Sequence, residues 1–285
     1  MRRSLLFIPA NQPGMLQNAD VFEADAVIFD LEDAVFASEK DAALELLNAF
    51  LDAIPLNKVE VMVRINGLDT DQGLIDLKHI VSEKIDTIML PKANLDVLNS
   101  CSDILDELEL NYQMLKRISI VPIIEDADAC FHAYEIAKHP RVSGLLLGAE
   151  DLAKDLEVER TDASFEIFFA RSQVIYAAKA HQKDAIDTPY VSTKNEEGLI
   201  LDAKYAKSLG MNAKACIHPN QIDIINEIFS PSKADIEQAL RIIKAMDDPN
   251  NKEKGAFSLD GKMIDKPIIE RALKTIEKAK KYQLI

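Results

Sequence analysis

Eight short apolar runs recur along the first three quarters of the chain, and longer mixed segments separate them. The runs are rich in Val, Ile, Leu and Phe and show no alternation with polar residues, which is typical of parallel strands buried on both faces. The seventh run is short, and its assignment rests mainly on spacing. The predicted strands cover residues 4–8, 26–29, 59–65, 87–90, 118–124, 144–147, 185–187 and 213–217.

The segments between these runs carry apolar residues three and four positions apart, which predicts amphipathic helices. Examples are residues 40–51, 73–83, 130–138, 165–181, 196–209 and 219–228. Eight β-α repeats predict an α/β fold of the TIM (β/α)₈ barrel type. An open doubly wound sheet is the alternative. No G-x-G-x-x-G follows the first strand, and polar residues follow most strands instead of marking one crevice, so the barrel is favoured.

The pattern changes after residue 229. It predicts a helix over 232–245, a loop over 247–255, a short apolar turn around 257–264, and a last helix over 267–281 that begins with Pro267. We therefore expect a catalytic barrel over residues 1–229 and a C-terminal helical extension over 230–285. A barrel does not need this extension, which either caps its own barrel or contacts a neighbouring subunit.

Charge and composition narrow the function classes. The net charge is −15, which argues against nucleic acid and against an anionic membrane surface as partners. The three cysteines lie far apart without a C-x-x-C motif, as expected for a reduced cytoplasm without disulfides. The apolar start of the chain is too short for a secretion signal, and no window has the length of a membrane span. The sequence predicts a cytoplasmic protein.

Charged side chains follow most of the predicted strands. Barrel enzymes place their chemistry at the carboxyl ends of the strands, so these side chains should meet at one mouth. Several carboxylates at one place repel one another and require a counter-ion, and Mg²⁺ is the usual oxygen-bound divalent cation. The five histidines lack the spacing of a zinc site. The candidates are Asp30, Glu32, Asp33, Arg64, Lys92, Glu125, Glu150, Asp151, Asp187 and His218.

The acids and Arg64 each have a structural alternative. Arg64 could only form ion pairs that neutralise the mouth. Glu125 could be a helix-start carboxylate, although Asp126 suits that role better. One of Glu150 and Asp151 could be a helix N-cap, and Asp151 is preferred as the metal ligand.

Lys92 and His218 carry two further alternatives. A lysine at this position could form a Schiff base in an aldolase, or it could be an ordinary anion-binding or structural residue. His218 could act as a general base, but a single histidine ahead of a helix is more often a structural hydrogen-bonding group.

Nine short motifs run in order over nearly the whole chain. They resemble the citrate lyase β-subunit-like family, within the HpcH/HpaI aldolase–citrate lyase superfamily that includes malyl-CoA and citramalyl-CoA lyases. The motifs are R-R-S-L-L-F-I-P (2–9), F-D-L-E-D-A-V (29–35), V-R-I-N (63–66), P-K (91–92), I-E (124–125), G-A-E-D-L (148–152), E-E-G (196–198), C-I-H-P-N-Q (216–221) and D-G-K-M-I-D-K-P (260–267).

This resemblance implies a Mg²⁺-dependent lyase on a TIM barrel. The expected reaction is the reversible cleavage of a 3-hydroxyacyl thioester, such as citryl-, malyl- or citramalyl-CoA, into an acyl thioester and a 2-oxo acid. The acyl carrier is either CoA or an acyl carrier protein. The resemblance also implies a homo-oligomer, most simply a trimer, with a larger lyase complex as a further option.

The resemblance assigns roles to individual residues. Glu125 and Asp151 match the metal ligands, and Arg64 matches the residue that holds the substrate, with Glu125 and Lys92 beside it. Glu32 matches a carboxylate near the metal's waters. Asp265 matches a catalytic acid that a neighbouring subunit supplies, although it could simply cap the helix that follows.

Three other functions stay open from the sequence. The first is a Schiff-base 2-oxo-acid aldolase that uses Lys92, and the second is an acyl-CoA thioesterase. The third is a non-catalytic subunit that serves as an assembly surface.

Overall fold

A computed structural model describes residues 1–248 and 255–285. Eight parallel strands form a closed barrel in sequence order, β1 through β8, and β1 pairs with β8 to close it. This confirms the predicted TIM barrel, and the predicted strand limits agree to within two residues. The strands are β1 Ser4–Pro9, β2 Ala26–Asp30, β3 Glu60–Arg64, β4 Thr87–Leu90, β5 Ser119–Ile124, β6 Gly144–Leu147, β7 Asp184–Asp187 and β8 Ala213–Cys216.

Helices follow the strands around the barrel. The segment predicted as one helix over 130–138 is two helices, because His132 leaves the helical region at φ −95° and ψ 8°. The helices of this part of the chain are α1 Pro13–Leu16, α2 Lys40–Ala53, α3 Asp71–Ile80, α4 Leu95–Asn111, α5 Ala127–Phe131, α6 Ala133–Lys138, α7 Ala149–Asp155, α8 Phe168–Ala180, α9 Glu196–Leu209 and α10 Ile222–Phe229.

The barrel interior is filled by every second residue of each strand, because successive side chains of a strand point to opposite faces. The interior side chains form one apolar cluster: Leu5, Ala26, Ile28, Met62, Met89, Val121, Ile123, Leu146, Ile186, Ala213 and Ala215. Continued along the strands beyond this cluster, the same alternation gives the inward-facing positions at the carboxyl-end mouth. These positions include Asp30, Arg64, Glu125, Gly148 and Thr188.

The chain divides into two compact units, Met1–Asn226 and Glu227–Ile285. The second unit contains α11 Lys233–Met246, β9 Ala256–Leu259, β10 Lys262–Asp265 and α12 Lys266–Lys281. The apolar segment predicted as a turn is instead an antiparallel hairpin. Asp260 and Gly261 both have positive φ, 52° and 76°, as a two-residue hairpin turn of the Asp-Gly type requires. Of the predicted loop, residues 249–254 lie outside the described residues.

Two predictions about the whole chain can also be checked. Cys101, Cys130 and Cys216 are buried free thiols, so the absence of disulfides is confirmed. Among residues 1–248 and 255–285, no helix has the length and apolar character needed to cross a membrane.

Candidate active site

A pocket of about 430 Å³ opens at the carboxyl end of the barrel. One part of its wall is polar and contains most of the charged residues that the sequence predicted, while the rest is apolar. The polar lining is Asp30, Asp33, Arg64, Glu125, Glu150, Asp151 and Thr188, and the apolar lining includes Phe7, Pro9, Ile123, Leu146, Pro189 and Ile217.

Arg64, at the end of β3, is held from two sides. Its Nε and Nη2 donate to the two carboxylate oxygens of Asp30, at 2.7 and 2.6 Å. Its Nη1 lies 3.1 Å from Asp33 and 3.2 Å from Glu32, and its guanidinium lies over the Phe7 ring. Burial opposes the charged form, but the hydrogen bonds and charge of Asp30, followed by Glu32 and Asp33, raise the pKa of Arg64 above its ordinary value. The guanidinium is therefore a fixed cation.

The loop after β2, which carries Glu32 and Asp33, is anchored by polar side chains beneath it. Lys40 donates from Nζ to the carbonyl oxygens of Leu31 and Glu32 and also contacts Asn66. Asn66 in turn donates to the Leu31 carbonyl, and Asp76 accepts two hydrogen bonds from Asn66. Lys40 and Asp76 could not be identified from the sequence, because neither lies at a strand end.

Glu125 follows β5 and is buried, with only 8% of its surface exposed. Its Oε1 accepts the backbone N–H of Lys92, a residue with a positive φ of 48°. A Cβ at Gly148 would lie 2.6 Å from the Cβ of Glu125, so only glycine leaves room for this carboxylate. Burial raises the pKa of Glu125 to about 7, and the charge of Asp151 adds to the shift.

Asp151 lies in the first turn of α7, beside Glu125. The N-cap of α7 is Gly148, and no side chain caps the helix, so the capping alternative for Glu150 and Asp151 is wrong. Glu150 is paired with Arg160 at 3.1 Å. The Asp151 carboxylate lines the pocket and has no hydrogen-bond or ion-pair partner among the described residues.

Glu32 is half-buried beside Arg64. Burial is the main cause that raises the pKa of Glu32 to about 8. The charge of Arg64 opposes this shift, and the smaller effects of the charges of Asp33, Glu125 and Asp30 add to it. The mouth therefore contains two carboxyl groups, Glu32 and Glu125, that hold protons near neutral pH.

The residues fit a magnesium ion. Among the described residues, no three His, Cys, Asp or Glu side chains come together as a closed metal site. Mg²⁺ does not need one, because it usually takes one or two carboxylates and completes its shell with water and substrate oxygens. Glu125 and Asp151 supply such a pair on the wall of an open pocket.

Several strand-end residues do not contribute their side chains to the pocket. Asp187 points out of the barrel and binds Arg171 and Lys214. Asp126 caps α5 through the N–H of Ala129, as the sequence suggested. His218 is exposed and accepts the N–H of Asn220, which agrees with its structural interpretation.

Lys92 contributes through its backbone alone in this structure. Its side chain is exposed, does not line the pocket and passes near Gly67. Pro91, and not Lys92, occupies the position that faces the barrel interior in the alternation of β4. The position therefore acts on the site through the N–H that binds Glu125.

Asp265 lies in the second compact unit, at the start of α12. Its carboxylate accepts the N–H of Ile268 at 3.3 Å, which is the capping geometry that the sequence analysis considered. Its catalytic role in a neighbouring subunit stays a prediction.

Comparisons with known proteins match this architecture. The HpcH/HpaI aldolase/citrate lyase family model matches residues 3–219. The chain is 37% identical to citrate lyase subunit beta of Haemophilus influenzae, over 98% of this chain and 97% of that protein. It is 34% identical to a (3S)-malyl-CoA thioesterase of Cereibacter sphaeroides, over 97% of this chain and 94% of that protein.

Solved structures resemble the chain over similar lengths. CitE from Mycobacterium tuberculosis, in complex with magnesium, acetoacetate and coenzyme A, superimposes with a TM-score of 0.78 and 30% identity, covering 98% of each chain. The citrate lyase beta subunit from the same organism, with oxaloacetate and magnesium, gives a TM-score of 0.68 and 31% identity over 81% of this chain and 97% of that chain. The chain belongs to the HpcH/HpaI aldolase/citrate lyase family.

Proposed function

We propose that this protein is a Mg²⁺-dependent carbon–carbon lyase that cleaves a 3-hydroxyacyl thioester reversibly into an acyl thioester and a 2-oxo acid. The observation that carries this proposal is the pairing of Glu125 and Asp151 with Arg64 on the wall of one pocket at the carboxyl end of the barrel. Magnesium in the related CitE structures supports the choice of metal.

Glu125 and Asp151 would hold the metal in this reaction. Mg²⁺ bound there would polarise the substrate hydroxyl and balance the negative charge that develops during cleavage. Arg64 would orient the substrate carboxylate or the thioester oxygen. Because Asp30 occupies the Nε and Nη2 edge of Arg64, the substrate would meet the Nη1 side, where Glu32 and Asp33 lie.

Glu32 would accept or donate a proton beside Nη1 of Arg64. Its carboxyl group lies 3.2 Å from Arg64 Nη1, and its raised pKa of about 8 allows it to hold or release a proton near neutral pH. No lysine Schiff base would be needed, because Arg64 and the metal would together balance the negative charge that develops during cleavage.

The test is a screen of citryl-, malyl- and citramalyl-thioesters, on CoA and on an acyl carrier protein, with Mg²⁺ or with EDTA. We expect one of these thioesters to release a 2-oxo acid when Mg²⁺ is present. No 2-oxo acid should form from any of them in EDTA. Turnover that continues in EDTA, or no turnover of any of these thioesters, would overturn the proposal.

A thioesterase is the second candidate. The similarity to the (3S)-malyl-CoA thioesterase of Cereibacter sphaeroides over 97% of this chain supports it. The same metal and Arg64 could then direct water onto the thioester carbonyl. A thioesterase releases a free thiol and an intact hydroxy acid, whereas a lyase leaves the thiol acylated.

We further propose a homotrimer in which the segment after residue 230 reaches a neighbouring barrel. The last helix supports this arrangement, because α12 carries six Lys and Arg residues against two Glu, whereas the whole chain is strongly acidic. A basic helix would be attracted to the acidic surface of a second copy. Removing residues 231–285 should lower the oligomeric state seen by light scattering, and an unchanged state would exclude the arrangement.

The same arrangement would allow Asp265 to donate the proton that quenches the enolate in the neighbouring site. Arg64→Ala and Asp265→Ala, each inactive alone, should recover about one complete site in four after mixed reassembly, because each barrel of a closed ring pairs with one donor. A mixture that stays inactive shows that Asp265 does not act across subunits. Asp265→Asn keeps the helix cap and should still lose activity, whereas full activity would leave Asp265 only its capping role.

A further inference from the structure

A cluster of four charged side chains lies behind β7 and β8, on the side that faces the helices. Arg171 of α8, Asp202 of α9 and the strand residues Asp187 and Lys214 form it, and all four are buried. Arg171 binds Asp187 at 2.9 and 3.0 Å and Asp202 at 2.6 Å. The reaction proposed above uses none of these side chains.

Lys214 connects this cluster to the pocket. Its Nζ donates to Asp187 and Asp202, both at 2.6 Å, and to the carbonyl oxygen of Thr188 at 2.7 Å. All three protons of the ammonium are thereby used. Two carboxylates already balance the two cations of the cluster, so the third hydrogen bond adds no charge pairing and instead fixes the backbone just after β7.

Thr188 links the buried charged cluster to the pocket. It faces the barrel interior, is 1% exposed, and lines the pocket. Its Oγ1 accepts the N–H of Ala149 at 3.4 Å. Ala149 is the first residue of α7, and Asp151 stands two residues further along the same turn. Contacts therefore run without a gap from the buried cluster through Thr188 to the helix that carries Asp151.

We propose that Lys214 and Thr188 are positioning residues that hold α7 so that Asp151 can share a cation with Glu125. The inference rests on the proposed function, because it gives Asp151 the role of a metal ligand. Groups that orient a metal ligand typically contribute about 10–100-fold to metal affinity. A cluster needed only for folding would contribute to stability and leave metal affinity unchanged.

The experiment measures Mn²⁺ binding to the full chain by electron paramagnetic resonance, together with the melting temperature. Thr188→Val keeps the shape of the side chain but removes the acceptor for the Ala149 N–H. We expect Thr188→Val to raise the Mn²⁺ Kd about tenfold or more, and Thr188→Ser to restore it. In cleavage assays the half-saturating Mg²⁺ concentration should rise in the same way, with a smaller change in the rate at saturating Mg²⁺.

Two further variants separate positioning from stability. Lys214→Met should raise the Mn²⁺ Kd as well, but the decisive variant is Thr188→Val, because removal of a buried charge can prevent folding. Arg2→Lys is the matched control. It weakens a buried ion pair at the opposite end of the barrel and should lower the melting temperature with no change in Mn²⁺ Kd.

The outcomes distinguish this inference from the function on which it rests. If the wild-type protein binds no Mn²⁺, the proposed metal site fails, and the inference fails with it. If the wild type binds Mn²⁺ and Asp151→Asn weakens binding while Thr188→Val binds like wild type, the metal site stands and the positioning role is overturned.

Discussion

The two ends of the barrel both concentrate charged side chains, but they pair them differently. At the amino end, Arg2 donates to both oxygens of Glu60, at 2.6 and 2.7 Å, and to Asp184 and Ser143. Burial opposes ionisation there, yet the hydrogen bonds and charge of Arg2 lower the pKa of Glu60. At the carboxyl end, burial prevails and raises the pKa of Glu32 and Glu125 to about 8 and about 7.

We infer from this contrast that the charges of the amino end serve stability and those of the mouth serve the proposed function. At the amino end, Glu60 and Asp184 are paired with Arg2, and Asp25 is paired with Arg3, so these charges stabilise the fold. The mouth has more acids than the fixed cation Arg64 can neutralise. Buried carboxylates without a counter-charge lower the stability of the fold. They are typical of functional sites, where a bound cation or a proton transfer uses them.

The largest effect is expected at the proposed metal ligands. Glu125→Gln and Asp151→Asn should each lower the cleavage rate by more than about 10²-fold, because each removes a negative oxygen ligand that Mg²⁺ requires. The melting temperature should change by only a few degrees. Glu60→Gln, at the other end, is the control and should lower the melting temperature while the folded enzyme stays active. Retained activity without bound metal in either ligand variant would refute the assignment.

Arg64→Lys should have the next largest effect. The substitution keeps a positive charge but loses the two parallel hydrogen bonds to Asp30, so it should lower kcat/KM by about 10²-fold. Arg2→Lys loses the equivalent pair of bonds to Glu60 and should cost about 1–3 kcal/mol of stability with no loss of activity. If Arg64→Lys behaves like wild type, Arg64 only balances charge.

The stability of the metal-free protein should fall as the pH rises toward 8. The pKa of Glu32 is raised from 4.5 to about 8, so its favourable contribution is present below about pH 4.5 and is lost progressively as the pH rises through about 8. Glu125 adds to the loss up to about pH 7. In EDTA, unfolding free energies should decrease by roughly a few kcal/mol between pH 5.5 and 8.5.

Glu32→Gln is the variant that checks the source of this pH dependence. A glutamine cannot ionise, so the decrease between pH 7 and 8.5 should largely disappear in this variant. A wild-type profile that is flat over the same interval, or an equal decrease in Glu32→Gln, would contradict the raised pKa.

The smallest effect is expected at Lys92. Lys92→Gly keeps the N–H that binds Glu125 and tolerates the positive φ, so activity should stay within about threefold of wild type. A Schiff-base aldolase predicts the opposite, because it would lose all activity in this variant. It would also form a covalent adduct at Lys92 when borohydride is added with a 2-oxo acid.

Much of this fold could be predicted from the sequence. Parallel strands buried on both faces are continuous apolar runs, so their positions stand out in the sequence and their limits agree with the structure to within two residues. Because these runs do not alternate between apolar and polar residues, they do not show which face of the sheet each side chain occupies. In a strand such as β7, both Ile186 and Asp187 belong to one run, and only the structure shows that Ile186 faces the interior while Asp187 faces the helices.

The candidate site was predictable to the same extent. Asp30, Arg64 and Glu125 stand at strand ends and at inward positions, so the strand-end rule finds them. Lys92, Asp187 and His218 also stand at or just after strand ends, but their side chains point elsewhere. Thr188 stands at a predicted strand end beside Asp187, but neither it nor Lys214 receives a role from the sequence, because a neutral hydroxyl and a lysine within a strand carry no local signal. Their importance comes from hydrogen bonds to residues far away in the chain.

The proposed function requires that the mouth cleaves a carbon–carbon bond with a divalent cation held by Glu125 and Asp151. The most direct measurement is the product balance of one turned-over 3-hydroxyacyl thioester, with the acyl thioester, 2-oxo acid, free thiol and hydroxy acid quantified in the same reaction. We expect equal amounts of acyl thioester and 2-oxo acid, formed with Mg²⁺ and abolished by EDTA or Glu125→Gln. Free thiol with intact hydroxy acid, or equal turnover in EDTA, would contradict it.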